Sequence, residues 1–591
     1  MRAEELAKSI NYYQVHQNKM TALIEHARSF LSSGEHRPQF TAVEIQALAS
    51  FFTSFDNRVY FIHSLPETIT DVLLSMFSRL KNKRGLRGVF VDTFLPHLLA
   101  NGLSEIQSKF SGKVEAFMKH NRITSLEQFV NHSAQSRRLF EEFKDALKID
   151  SDYVKRFADS PKVKTFLETW LDRYGHNSIA RMAKLTLCFE NISILAAKSI
   201  EWTRPGAGYI ELSTRYVNMA SGSYYPIAEE LSEFGVPVGE PTQSIKLGFS
   251  SYFDSQGQNL DGPFPRFLHQ NYAGLIGDPK DLEKGIAGET YDVLGNFLPC
   301  ATLTSVGVAI SGEAFPQLLK HLILDATPEN LVLAEMVLEE AAKIGGDQFG
   351  RHFVPTEWNR ATWQYLDTKT FRHRLGLRES GTIVSLIPDF EDVERLLENS
   401  FRNQPQFYEA ISFVDIIKKL AGIERAEFDR LPNHFEMVSA AFSGVMSFRS
   451  WRDLQRQQLA THYRTYVTPE LGFYVASKPT PEWLTNRSLG VWQTNLALYQ
   501  TMKEFNVPPE LMQYPLAMGN LVGFQIGANM AELEFCIWQR TKYTVNHEVR
   551  QIFLGMEQIL RSSYPWWSKI SRADMTSAYV FARTDKGIVL F

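Results

Sequence analysis

The run Glu211-Leu212-Ser213-Thr214-Arg215-Tyr216 sets a hydroxyl two residues before a guanidinium. That pair suits an anion, which the planar guanidinium fork grips bidentately. The competing reading is an ordinary surface salt bridge. The run closes a segment that opens on Gly175-His176-Asn177-Ser178. A weaker version follows at Leu431–Tyr466: Asn433-His434-Phe435-Glu436-Met437, an apolar segment, then Arg452-Asp453-Leu454-Gln455-Arg456-Gln457-Gln458. Arg181 and Glu436 take the same place in the two versions, and twenty residues later come Glu201 and Arg456. Downstream, Leu298-Pro299-Cys300-Ala301-Thr302 corresponds to Tyr514-Pro515-Leu516-Ala517-Met518, each ahead of an expected long helix. Landmarks recurring in one order indicate a duplicated, diverged module.

Other polar groups compete for attention. The Lys81–Arg87 cluster reads as a solvated helix end, with a phosphate site as the alternative. Arg540 and Arg550 lie on a polar helix face, solvated or ligand-facing. His434-Phe435-Glu436 reads as a helix start whose acid offsets the dipole, and His462-Tyr463-Arg464 as a polar loop, with a pocket lining as the alternative.

The elements that must position these groups follow from periodicity. Residues 1–40 read as a helix and a polar turn, and Thr41–Phe55 as a helix with Ile45, Leu48, Phe52 and Phe55 on one face. Arg58–Ile62 is a short β-rich run. Ser178–Trp202, free of Pro and Gly, predicts a long buried helix. Residues 228–290, rich in Gly, Pro, Ser and Asp, predict an extended excursion, a lid or interface arm. A helical core is expected from about Asp292 to Ala342. A connection fills 345–379, Thr382–Asp389 opens a fresh domain with a strand, and Gly587–Phe591 is a β-like tail. The expected division is a helical extension over 1–50, a first copy over 51–345, a connection over 346–379 and a second copy over 380–591.

At 591 residues the chain exceeds what one hydrophobic core organises. A formal net charge of −4 argues against general nucleic-acid binding. Cys188, Cys300 and Cys536 show neither disulfide nor zinc spacing and read as buried thiols. The acidic N-terminus lacks a signal-peptide core and no window of about 20 apolar residues occurs. The expectation is a cytoplasmic protein that binds neither membrane nor nucleic acid and holds no metal.

These residues resemble the flavin-dependent thymidylate synthases, over roughly 55–330 and 380–560. Members show Gly-His-x-Ser/Thr, an apolar segment, Arg-His-Arg, seven residues, Ser-x-Arg-Tyr, a Leu-Pro turn, and a helix with an Asn and a late Arg. The resemblance implies an α+β fold, here as two fused copies (a mixed sheet flanked by long helices), forming a pseudo-dimer within one chain. It implies FAD-dependent one-carbon transfer from methylene-tetrahydrofolate to dUMP with NADPH, and no protein nucleophile. Glu211, Ser213, Arg215, Tyr216 and Arg540 would meet the nucleotide. His176, Ser178, Arg204, Arg456, Gln457, Asn529 and Arg550 would meet the flavin. Two chains would form a homodimer equivalent to the family's tetramer.

The chain departs from the pattern in both versions. The Arg-His-Arg place reads Glu201-Trp202-Thr203, or Thr203-Arg204-Pro205, in the first and Arg456-Gln457-Gln458 in the second. Thr461–Tyr466 stands as an eroded Ser-x-Arg-Tyr loop, and the literal Arg372-His373-Arg374 lacks the loop that should follow it. Gly295 and Leu511 take the places of a further phosphate arginine. The first copy would therefore offer the nucleotide loop and the second the flavin residues. The rivals are a related flavoenzyme acting on another pyrimidine nucleotide, or a catalytically silent nucleotide-binding scaffold.

Overall fold

The structure is a computed structural model that describes residues 1–8, 16–34, 37–80, 82–95, 120–123, 126–146, 165, 177–202, 205–214, 219, 222–275, 278–346, 353–363, 384–386, 413–427, 429–476 and 480–576. The chain divides into two compact units. The first comprises 1–219, 223–233 and 301–360; the second comprises 220–222, 234–300 and 361–591. Unit boundaries thus cross chain order, and residues 234–300 group with the C-terminal half. Among the described residues no helix is long and apolar enough to cross a membrane.

The first unit is built on a four-stranded antiparallel sheet, β1 (Val59–Ile62), β2 (Lys184–Ser193), β3 (Ala207–Glu211) and β4 (Leu303–Ser311), in the order β1-β2-β4-β3. Phe189 pairs with Val306 but Ile192 with Thr304, so Glu190 and Asn191 share one partner position in a bulge. Asn191 takes φ 56°, a left-handed value that Asn tolerates. The bulge aims Glu190 into the core. There its carboxylate accepts from Tyr60 Oη (2.9 Å), Leu86 N (2.7 Å) and Arg87 Nη2 (3.3 Å). Arg87, 1% exposed, also donates to the Ser54 and Asn57 carbonyls and lies 4.1 Å over the Tyr60 ring. Arg84 pairs with Glu44 and Asp92. Arg84 and Arg87 of the basic cluster are therefore engaged in internal structure, while Lys83 is exposed and Lys81 lies outside the described residues.

At its C-terminal end β2 turns directly into a helix, Ile194–Ile200. Ser193 Oγ caps it by accepting from Ala196 N (3.0 Å). The same serine donates through N (2.8 Å) and Oγ (2.6 Å) to the two oxygens of Glu329, which is fully buried in the first turn of the Pro328–Ala342 helix. A carboxylate at a helix N-terminus also meets the positive end of the dipole. The Gln17–Ser32 helix packs on that same helix, with Arg28 pairing with Glu335 (2.9 Å) and Glu4 (2.8 Å). The N-terminal residues are thus part of the first unit.

The second unit repeats the plan with β5 (Val384–Leu386), β6 (Ser439–Ser447), β7 (Thr461–Arg464) and β8 (Leu521–Asn529), in the order β5-β6-β8-β7. Ser447 ends β6, caps the Phe448–Leu454 helix through Ser450 N, and donates through N (2.6 Å) and Oγ to Glu548. Ser450 Oγ donates to the same carboxylate (2.6 Å). Glu548 sits in the first turn of the His547–Ser563 helix, and burial pushes its carboxyl above the usual range against those hydrogen bonds.

Helices from 234–300 complete the second unit. Gly239–Gln256 packs on Glu482–Glu504, where Asn495 Nδ2 donates to Ser244 Oγ (2.9 Å). Beside them Cys300 N donates to Leu516 O and Met518 N to Leu298 O, both at 2.8 Å, around a Pro299–Ala517 bridge. Counting from the strand starts Leu303 and Leu521, Leu298 corresponds to Leu516 and Cys300 to Met518. The pairing of these two segments is therefore reciprocal.

Several expectations are corrected. Ser178–Trp202 is not one helix: Asn177–Met182 is followed by β2 and then Ile194–Ile200. A strand buried on both faces shows a continuous apolar run, which periodicity does not separate from a buried helix. The stretch 292–342 contains β4, so the Leu-Pro turn leads into a strand, as does its counterpart before β8. Residues 228–290 are largely helical: Ile227–Ser232, Gly239–Gln256, Pro263–Tyr272 and Pro279–Leu294. Their polar residues punctuate helices. Asp278 caps the last one, Pro263 and Pro279 open helices, and Gly257 at φ 74° closes one. In the expected strand Thr382–Asp389, Val384–Leu386 is the described part and is a strand. Arg372–Arg374 and Gly587–Phe591 lie outside the described residues.

Two stability predictions follow. Glu329→Ala and Glu548→Ala each leave a buried serine amide without its acceptor and should each cost about 2–4 kcal/mol in urea unfolding; a loss near zero would remove the corner from the account. His63 follows β1, and burial holds its imidazole down at about 4 from an ordinary 6.5. Between those values the unfolded chain takes a proton that the folded chain refuses, so stability falls as pH drops through the window. His63→Gln should flatten that slope.

Candidate functional site

The helix that leaves each serine corner delivers a short turn, and both candidate motifs lie at or beyond that turn. In the first unit β3 ends at Glu211, and Leu212 N continues to donate to Ser305 O (2.8 Å). Ser213 is 8% exposed, and its amide donates to Ser78 O (3.3 Å). Arg215 and Tyr216, which complete the loop, lie outside the described residues, as do His176 and Arg204. Ser178 lies in the Asn177–Met182 helix.

Glu211 does not stand as an open acceptor. Its carboxylate is buried and accepts from Lys198 Nζ (2.8 Å), and Lys198 also pairs with Glu201. The three side chains are 1%, 4% and 0% exposed for Lys198, Glu201 and Glu211. One lysine thus ties the end of the helix to the end of β3. Lys198 escaped the sequence reading, although its i,i+3 spacing from Glu201 was visible. Trp202, next along, stacks parallel on His321 with centroids 5.1 Å apart.

The sheet registers align the two turns. Upstream of the bulge Arg181 corresponds to Glu436, as expected. The bulge adds one residue to β2, so beyond it Glu201 corresponds to Gln455 and Trp202 to Arg456. Glu211 pairs with Val306 and Arg464 with Phe524, equivalent positions on β4 and β8. Lys198, Glu201 and Glu211 in one unit are therefore Arg452, Gln455 and Arg464 in the other. Thr461–Arg464 is strand β7, so the eroded loop expected there falls instead on Tyr466–Pro469. The same count sets Gly295 against Gln513 rather than Leu511. Gln513 Oε1 accepts from Arg464 Nη1 (3.0 Å) and Val467 N (3.1 Å). An added Cβ at Gly295 would lie 2.5 Å from Arg449 Nε, so any larger residue there requires the buried Arg449 side chain to shift.

In the second unit Arg456 is exposed, with Asp453 Oδ1 3.8 Å away. Gln457, 5% exposed, turns inward toward the Met530–Thr541 helix. With its amide oxygen facing Arg540, it accepts from Nε (2.8 Å) and Nη2 (2.9 Å). Arg540 thus meets Gln457, one expected site residue binding another. Cys536 Sγ lies 3.1 Å from the far side of that amide and 3.2 Å from Glu532 Oε1, and Arg430 pairs with Glu532. Burial and the Glu532 charge push the Cys536 thiol up. All three cysteines are buried and free.

Two expected flavin residues have structural partners. Asn529 caps the Met530–Thr541 helix by accepting from Glu532 N (2.8 Å). Arg550, 2% exposed, donates to the carbonyls of Thr541 (2.8 Å), Asp574 (3.0 Å) and Thr576 (2.7 Å), tying the C-terminal segment to its helix. A shallow cleft lined by Asn296, Phe297, Tyr474, Thr480 and Ser488 shares no residue with the Arg456 turn.

Residues 122–344 match the family model described as Thymidylate synthase complementing protein. A UPF0159 protein of Thermoplasma acidophilum is 24% identical over 482 residues, 75% of this chain and 92% of its own length. UPF0159 proteins of Chlamydia pneumoniae and Chlamydia muridarum are 23% and 22% identical and cover 88% and 89% of this chain, and 92% and 94% of their own lengths. Similarity to these relatives therefore runs well beyond the 122–344 segment. A crystal structure of a UMP/dUMP methylase from Streptomyces cacaoi bound with 5-Br dUMP is 14% identical. It covers 34% of this chain and 96% of that chain at a TM-score of 0.28.

Removing the lysine of the buried cluster should be costly. Lys198→Met leaves Glu201 and Glu211 without it and should destabilise the chain by about 3–5 kcal/mol in chemical unfolding. Adding Glu201→Gln and Glu211→Gln should restore part of that loss. If the single variant unfolds like the parent, the cluster does not hold β3.

Proposed function

We propose, from the match of residues 122–344 to the thymidylate synthase complementing protein model, that the chain is a flavin-dependent methyltransferase. Its reaction moves a one-carbon unit from methylene-tetrahydrofolate onto dUMP, giving dTMP, with NADPH as reductant. The observation that carries this reading is the family match itself, because the matched span contains both Gly175–Ser178 and Glu211–Tyr216. Supporting the two-copy part are the shared strand order, the repeated serine–glutamate corner and the reciprocal pairing of Leu298–Cys300 with Leu516–Met518. Two such chains would form the family's tetramer-like assembly.

The donor set fits FAD unevenly. Arg456 is an exposed guanidinium on a turn held by a buried neighbour, suited to a pyrophosphate. Arg550 and Asn529 are engaged with backbone groups and do not suit that role. In the first unit Trp202 stands where Arg456 stands in the second. We therefore assign the flavin chiefly to Arg456 of the second copy; His176, Ser178 and Arg204 stay as the residues that the family pattern marks for flavin in the first copy. Bound there, the flavin would supply the electrons that reduce the transferred carbon to a methyl group. Arg215 and Ser213 would hold the nucleotide phosphate, with Tyr216 beside them. Glu211 would act from behind the loop, fixing the strand end through Lys198. On this reading the protein contributes orientation and charge rather than a nucleophile.

The purified protein should show a visible flavin absorbance that survives desalting, and should convert dUMP to dTMP with methylene-tetrahydrofolate and NADPH, read by mass spectrometry. Arg456→Ala should weaken FAD, and Arg215→Ala should weaken dUMP, each by about 10–100-fold, the worth of a charge-assisted hydrogen bond. Unchanged nucleotide affinity in the Arg215 variant would reassign the loop. A protein that retains no flavin, even with nucleotide present, would be the silent nucleotide-binding scaffold.

A further inference from the structure

The turn that carries Arg456 is short, running from Gln455 at the end of its helix to Ala460 before β7. Its two sides differ. Arg456 and Leu459 are exposed, while Gln457 is buried against the Met530–Thr541 helix. We propose that Arg540 is a positioning residue: through Gln457 it locks this turn so that Arg456 is held toward a ligand. The proposal rests on the flavin reading for the identity of that ligand, though not for the lock itself.

The hydrogen bonds have a consistent direction. Glu532, paired with Arg430, is an acceptor, so the Cys536 S–H donates to it (3.2 Å). The sulfur lone pairs are then left to accept from the Gln457 amide nitrogen (3.1 Å). That fixes the amide oxygen toward Arg540, which meets it side-on through Nε and Nη2. A lysine could not reproduce this two-point contact. A Gln457 held at both ends of its amide cannot rotate out of the core, and the residues on either side inherit its orientation. Arg540 therefore acts at a distance from the ligand, in place of the direct nucleotide contact expected from sequence.

Arg540→Ala, Arg540→Lys, Arg456→Ala and the double variant Arg456→Ala/Arg540→Ala separate these roles. In the flavin-free full chain, Arg540→Ala should raise amide hydrogen exchange across 455–460 and speed labelling of Cys536 by a thiol reagent, with Arg540→Lys in between. Unchanged exchange and labelling would overturn the lock whether or not the protein binds flavin. With FAD as the probe, Arg540→Ala should weaken binding by about tenfold, against 10–100-fold for Arg456→Ala. In the Arg456→Ala background the Arg540 change should then add less than threefold, because both act through one contact. Fully additive losses would instead make Arg540 a ligand contact and overturn the proposal. A parent chain that takes up no FAD would sink the flavin reading, and the exchange and labelling results would still decide the lock.

Discussion

A single arrangement organises each unit: a glutamate in the first turn of the last long helix closes on the serine that ends the second strand. Glu329 and Glu548 each satisfy a backbone amide and a hydroxyl that would otherwise be buried without acceptors. The serine in turn caps the next helix, so three elements meet in one set of hydrogen bonds. A buried carboxylate is stable only when its oxygens are engaged. The geometry is therefore demanding, and it sets the direction of the helix that delivers the candidate turn.

What differs between the units is what that helix delivers. In the first, Lys198 joins Glu201 and Glu211 in a buried ionic cluster, and Trp202 packs on His321. In the second, Arg452, Gln455 and Arg464 take the corresponding positions, and Arg456 is exposed beyond them. One scaffold thus carries two chemically distinct turns, one packed inward by carboxylates and lysine, the other presenting a cation.

Much of the plan was legible in the chain, and the limits have physical causes. The repeat was found from landmarks whose order survives, and Arg181 and Glu436 do take matching places. Glu201 and Arg456 are off by one because a single bulged residue at Glu190–Asn191 shifts everything beyond it. No periodicity reports such a bulge. Ser178–Trp202 misled for a related reason. A strand buried on both faces loses the alternation that marks strands, and the apolar run then reads as helix. The polar excursion misled in the opposite sense, because Asp278, Pro263, Pro279 and Gly257 are helix punctuation rather than loop filler.

By itself the sequence determined the α+β character, the repeated motifs, the family resemblance and the burial of all three cysteines. These depend on local composition, order and spacing, which survive in one dimension. Tertiary structure decided which polar residues face inward: Glu211 toward Lys198, Gln457 toward Arg540, Arg550 toward three carbonyls and Arg87 toward Glu190. It also decided that residues 234–300 group with the C-terminal half. The reason is that an arginine or glutamate has the same chemistry on a surface as in a core. Only the partner brought to it from a distant part of the chain decides whether its charge holds the fold together or stands ready for a ligand.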